Sequence, residues 1–185
     1  DLSVEIKIID IPHSVINYNG VYDGAEHGAY VDAGDANTVV GYSTDGQSFD
    51  SSVPFTYADC GTYTTYYRLT LEGKTTTFGS LTTKITPANV TLIAEDKSIT
   101  YGDAAPSFTY QENNTVAGES LSNVVVSCPS YTSLSNAGSY VITITESSNP
   151  NFAVTCVNGI LKVNQKSVTI TADDKCATYG DDAPL

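Results

Sequence analysis

Seventeen residues of this chain are written twice. VTLIAEDKSITYGDAAP, Val90 to Pro106, returns as VTITADDKCATYGDDAP, Val168 to Pro184, with 11 of 17 positions identical and every agreeing pair 78 residues apart. A fixed period of this size is the mark of an array in which one small unit is reused. The earlier Tyr22-Asp23-Gly24 stands 79 residues before Tyr101 and is of the same type as Tyr101-Gly102-Asp103, which adds a diverged first unit to the series. The period divides the chain into a first β module at 1–87, a second at 88–165 and the truncated start of a third at 166–185. Because the third copy reaches only Leu185, the chain is expected to be a piece of a longer one.

A unit of this length must fold around a modest core, burying about 60 % of the surface its unfolded chain exposes. Its strands are legible from alternation, since successive side chains of a strand point to opposite faces. Val90, Leu92 and Ala94 share one face, as do their counterparts Val168, Ile170 and Ala172. Tyr140, Ile142 and Ile144 read the same way, and Val4 to Ile9 supplies an opening strand. Asp45-Gly46 between Val39–Ser43 and Ser48-Phe49 is a hairpin signal. A long strand runs from Gly61 to Leu71, turns at Glu72-Gly73-Lys74 and returns through Ile85. No segment carries apolar residues at helical spacing over several turns, and only Ala117 to Ser122 leaves room for a single helical turn. The predicted fold is all-β, with tandem Ig-like antiparallel β-sandwich modules; β-grasp-like modules are the alternative.

Charge narrows the partners. With 21 Asp and Glu against 8 Lys and Arg, the net charge of −13 repels phosphate backbones and anionic lipid. Nucleic acid is therefore not an expected partner. No apolar run approaches the roughly 18 residues that would span a bilayer, so no membrane insertion is expected of these residues.

No set of side chains announces catalysis. His13 and His27 are the two histidines, and neither lies beside a nucleophile elbow or a cluster at metal-ligand spacing. The chain is read as a non-enzyme, with no catalytic residue, no cofactor and no metal. Asp103, Asp181 and Asp182 sit in turns where oxygen ligands for calcium could gather, but the spacing is not that of a calcium loop. The turns Tyr22-Asp23-Gly24, Tyr101-Gly102-Asp103 and Tyr179-Gly180-Asp181 are therefore read as repeat-defining geometry, in which Gly supplies the turn and Tyr packs at the end of the sandwich. Gly61-Thr62-Tyr63 and Gly138-Ser139-Tyr140 have the form of a tyrosine corner. Tyr63, Tyr66 and Tyr67 crowd one strand, and alternation puts at least one of them in the core. Of the four cysteines, Cys128 and Cys156 fall in one unit and could form a disulfide in an oxidising compartment, while Cys60 and Cys176 have no obvious partner; all four reduced is the other reading.

Tyr-Gly-Asp-x-x-Pro after a strand, Ala-Gly-Ser-Tyr opening another, and Asn-Gly-Ile-Leu-Lys-Val before the repeat resemble the MBG-type modules of bacterial cell-surface, adhesin-like proteins over residues 88 to 185. Tyr22-Asp23-Gly24, His27-Gly28 and Cys60-Gly61-Thr62-Tyr63 make the first unit similar to the related Tyr-Asp-Gly repeats. The resemblance implies a secreted, extracellular location at a cell surface or wall, and a spacer or stalk that presents a distal domain. Its partners would be the neighbouring modules of the same chain. An adhesive module binding a host glycan or protein through the first unit is the alternative.

Overall fold

A computed structural model describes residues 10–116, 119, 121–145, 149–180 and 182 of the chain. The opening strand expected at Val4 to Ile9, half of the helical turn expected within Ala117 to Ser122, and Asp181 lie outside the described residues. Those described form thirteen strands and no helix, as an all-β, Ig-like sandwich requires.

The first unit supplies β1 (Ser14–Ile16), β2 (Tyr18–Val21), β3 (Tyr30–Asp32), β4 (Val39–Ser43), β5 (Gly61–Thr70) and β6 (Thr77–Thr86). They build a four-stranded sheet in the order β2-β6-β5-β4 and a two-stranded sheet β1-β3. Alternation along β5 buries Thr65, Tyr67 and Leu69 and exposes Thr64, Tyr66 and Thr70. Tyr67 and Leu69 join Leu81 of β6, Val31 of β3 and Ile11 in one core. Tyr67 lies across the partner strand, where a Cβ on Gly79 would stand 2.3 Å from its ring. Its hydroxyl is 2.9 Å from His13 Nε2. The turn at 71–74 closes with Lys74 N donating to Leu71 O at 3.1 Å and Gly73 at φ 70°, a conformation that glycine adopts without cost.

The second unit supplies β7 (Ala88–Ala94), β8 (Lys97–Thr100), β9 (Tyr110–Asn113), β10 (Val125–Ser127), β11 (Gly138–Thr145), β12 (Phe152–Val157) and β13 (Gly159–Asn164). Its sheets, β10-β11-β13-β8 and β12-β7-β9, face each other as a sandwich. Val90, Leu92 and Ala94 of β7 meet Ile142 and Ile144 of β11 and Leu161 and Val163 of β13 in the interior. A fully buried leucine or isoleucine such as Leu92 or Ile142 contributes about 1.5–3 kcal/mol. Between β7 and β8 the chain bends at Glu95-Asp96 and passes from one sheet to the other. Glu95 accepts hydrogen bonds from Thr109 Oγ1 at 2.6 Å and Lys97 Nζ at 2.9 Å. Those bonds, that of Thr109 first, hold its carboxyl down to about 2. Gly159 passes so close that a Cβ there would stand 2.8 Å from Ala94 O.

Three expectations need correction. The sheets are mixed, because β2/β6, β12/β7 and β13/β8 pair in parallel. Each of these pairs joins strands far apart in sequence, and parallel neighbours need a crossover that a tight hairpin cannot make. The Asp45-Gly46 turn does not head a hairpin, since Ser48 and Phe49 form no strand and the return makes a single bridge, Tyr42 with Ser51. Asp45 instead organises the loop, its Oδ1 accepting from Ser43 Oγ at 2.6 Å, Gln47 N at 2.8 Å and Ser48 N at 3.0 Å. Finally, Val168 and Ile170 are exposed and in no strand. In the second unit β7 is held between β9 and β12, and the 185 residues contain no further copies of those two segments to flank Val168–Ala172.

Candidate functional site at the joint between units

Only Pro87 separates β6 from β7. With its φ fixed near −65° and no N–H to satisfy, proline makes this one-residue crossing stiff. The end of the first unit is then pressed against the beginning of the second, and the Tyr-Asp-Gly turn lies in the contact.

Tyr22 follows directly on β2. Its N–H donates to Thr86 O at 2.8 Å, which fixes it beside the last residue of β6. The side chain points out of its own unit and is 6 % exposed, counted in the same apolar cluster as Val90, Leu121 and Ile142. Its ring meets Phe152 edge to face at 5.6 Å and 90°, an arrangement aromatic pairs favour. Its hydroxyl donates to Glu119. That acceptor, and next the burial, push the phenol up to about 12. Gly24 has φ 78°, and a Cβ there would stand 3.1 Å from Val116 of the second unit. Both conformation and space ask for glycine at that position.

Asn151 makes the polar half of the contact. Its Oδ1 accepts from Cys60 N at 2.8 Å and its Nδ2 donates to Asp59 Oδ1 at 2.9 Å. Its own carbonyl accepts from Ala88 N at 3.0 Å and from the Cys60 thiol at 3.8 Å. Burial, with Asp59 nearby, raises the Cys60 thiol above its ordinary value. Behind the turn, Asp23 Oδ1 accepts from Ala25 N and bonds His27 Nε2, both at 2.9 Å. Hydrogen bonding to His27, and then to Ala25, lowers the Asp23 carboxyl. The His27 ring stacks on Tyr18 at 4.3 Å.

The second copy of the turn has the same build without the cover. Tyr101 N donates to Asn164 O at 2.8 Å as Tyr22 N does to Thr86 O, Gly102 has φ 88°, and Thr100 N donates to Asp103 Oδ2 at 3.0 Å. Yet Tyr101 is 43 % exposed. The third copy shows Gly180 at φ 101° and a fully exposed Tyr179. Among the described repeat-defining residues, Tyr22 and Gly24 are thus brought to a contact between units, while Asp23 bonds within its own unit. Both tyrosine corners form, with Tyr63 donating to Asp59 O at 3.0 Å and Tyr140 to Asn136 O at 2.7 Å. No disulfide joins Cys128 and Cys156: Cys128 is buried beyond β10 whereas Cys156 is exposed on β12 of the opposite sheet. Among the described residues no group of three or more His, Cys, Asp and Glu side chains could hold a metal ion.

Sequence reasoning missed Asp59, Glu119, Asn151 and Phe152 as joint residues. Asn149-Pro150-Asn151 was legible as a turn, but nothing local says that the side chain of Asn151 serves a backbone N–H 91 residues away.

Residues 90–162, within the second unit, match the MBG domain (YGX type). No curated protein matches the chain. Among solved structures, the fibronectin(III)-like modules of Clostridium thermocellum CbhA align at 10 % identity and TM-score 0.35, over 89 % of this chain and 100 % of theirs. Drosophila N-cadherin EC1-3 aligns at 14 % identity and TM-score 0.28, over 85 % of this chain and 69 % of that one.

Proposed function

We propose that the chain is a structural spacer from an extracellular bacterial surface protein, in which β modules joined by stiff contacts hold a distal domain away from the cell. One observation carries this reading: Tyr22 of the first unit is an interior residue of the second, so that the two units share one apolar cluster across Pro87. A flexible linker lets each module keep a closed core of its own, whereas here bending the joint would expose a buried aromatic ring. The Asn151 bonds to Asp59 and Cys60 fix the rotation about the same axis. The module type of residues 90–162 and the 78-residue period support tandem use. On this reading the chain has no catalytic role, and its surface location rests on the resemblance.

Small-angle scattering on the whole chain tests it. An elongated two-unit particle whose dimensions stay constant with and without calcium chelator supports the spacer. A compact globule, or a distribution of bent shapes, removes it, and loosening by the chelator alone would move the function to a metal-dependent hinge.

A further inference from the structure

The first unit has a second feature, independent of the joint and on the outer face of its larger sheet. There Tyr66 and Arg68 of β5 stand opposite Ser80 and Phe78 of β6. The apolar core of the unit, with Tyr67, Leu69 and Leu81, lies on the other side of this sheet. Phe78 is nevertheless 60 % exposed and Tyr66 38 %, which is costly for large aromatics without a use. Phe49, from the loop after β4, lies 5.5 Å from Phe78, with the Arg68 guanidinium 5.3 Å over its ring.

The arrangement is held in place. Gly41 permits Phe49 to lie directly over β4, since a Cβ at Gly41 would stand 2.9 Å from Phe49 O. Asp45 pins the intervening loop through Ser43, Gln47 and Ser48, which sets Gly46 so that a Cβ there would stand 3.4 Å from the Tyr66 ring. A groove of about 380 Å³ remains, lined by Gly46, Phe49, Tyr66, Phe78, Gly79 and Ser80.

We infer that this groove binds an uncharged glycan. A pyranose ring has an apolar C–H face and a rim of hydroxyls, and the groove offers the complement: aromatic rings together with Ser80 in its lining. None of its six lining residues is charged, the one neighbouring cation is seated on Phe49, and the net charge of −13 repels anionic sugars. Strand addition by a peptide is excluded there, because β5 and β6 are paired on both sides, by β4 and β2. The inference goes beyond the spacer reading and does not rest on it, since the groove lies wholly within the first unit.

The test is an NMR titration of the whole chain with hexasaccharides of β-linked glucose, galactose and mannose, with a heparin hexasaccharide and a proline-rich decapeptide run alongside. At least one neutral sugar shifts the amide signals of Gly46, Gly79 and Ser80. Phe78→Ala weakens that binding about tenfold, which corresponds to about 1.4 kcal/mol. Phe78→Tyr, which restores a ring, keeps it, and Val141→Ala, on an exposed strand of the second unit, leaves it unchanged. The inference is overturned if no neutral sugar shifts those amides at about 10 mM. It is equally overturned if Phe78→Ala binds as well as the parent, or if only the heparin fragment or the peptide binds.

Discussion

Replacing Asn151 by alanine isolates what the joint contributes, because the substitution removes two hydrogen bonds and little else. The backbone bonds of residue 151, to Ala88 N and to Asn149, survive the change. What is lost is the acceptor for Cys60 N at 2.8 Å and the donor to Asp59 at 2.9 Å. The Asp59 bond is open to water and is worth about 0.5–1 kcal/mol net, whereas the half-buried Cys60 N–H is left without its partner at about 1–3 kcal/mol. The sum, about 1.5–4 kcal/mol, exceeds most surface substitutions several-fold. With a urea m-value of about 2 kcal/mol/M, the unfolding midpoint of the whole chain should fall by about 0.8–2 M. Particle shape should broaden in parallel, since the bonds that fix rotation about Pro87 are gone. Asp59→Ala supplies the second arm of a double-mutant cycle, whose coupling to Asn151→Ala should be at least about 0.5 kcal/mol. A midpoint shift under about 0.3 M with unaltered scattering would show that the units meet without being held, and the spacer argument would lose its mechanism.

Tyr22→Ala and Tyr101→Ala change the same turn residue in two copies of the motif, but only the first ring is covered by a neighbour. Thermal unfolding should therefore register a large drop for Tyr22→Ala and a small one for Tyr101→Ala, and equal drops would refute a joint-specific role. The Tyr22 phenol is held at about 12, above its ordinary 10.0, so the folded state keeps its proton more tightly than the unfolded one. The resulting stabilisation is complete below about pH 10 and is lost as pH rises toward 12; in Tyr22→Phe, urea midpoints measured from pH 8 to 12 should lack that component. Gly79→Ala places a methyl where the Tyr67 ring lies 2.3 Å away, so the ring must shift and its contact with His13 must loosen. The cost should be about 1–3 kcal/mol by denaturation, and a neutral effect would mean that the ring relocates freely.

Much of the fold was legible because alternation and period are local properties. Leu92 and Ile142 could be assigned to the core from their neighbours alone, and the tyrosine corners from Gly-x-Tyr at the head of a strand. Pairing direction was not legible. Whether β12 runs parallel or antiparallel to β7 depends on which sheet the chain enters after each bend, and that is decided by Glu95, Asp96 and Gly159 acting across the sandwich. The Asp45-Gly46 loop misled for a related reason: its turn chemistry is sound, but the carboxylate spends its bonds shaping a loop that carries Phe49 over the sheet, and the return strand never forms.

The joint shows the deeper limit. Tyr22, Tyr101 and Tyr179 are the same letter in the same motif, in similar left-handed glycine turns, yet they range from interior to fully exposed. Tyr101 and Tyr179 even share most of the repeated seventeen-residue stretch, so the local sequence does not predict their exposure. The difference lies in whether a surface bearing Glu119, Asn151 and Phe152 is in place to receive the ring, and those residues come from a later stretch of the next unit. A repeat motif of this kind specifies a projecting aromatic, and the following module determines whether it becomes core. Stiffness is then a property of pairs of units: a joint is rigid where the receiving residues are present.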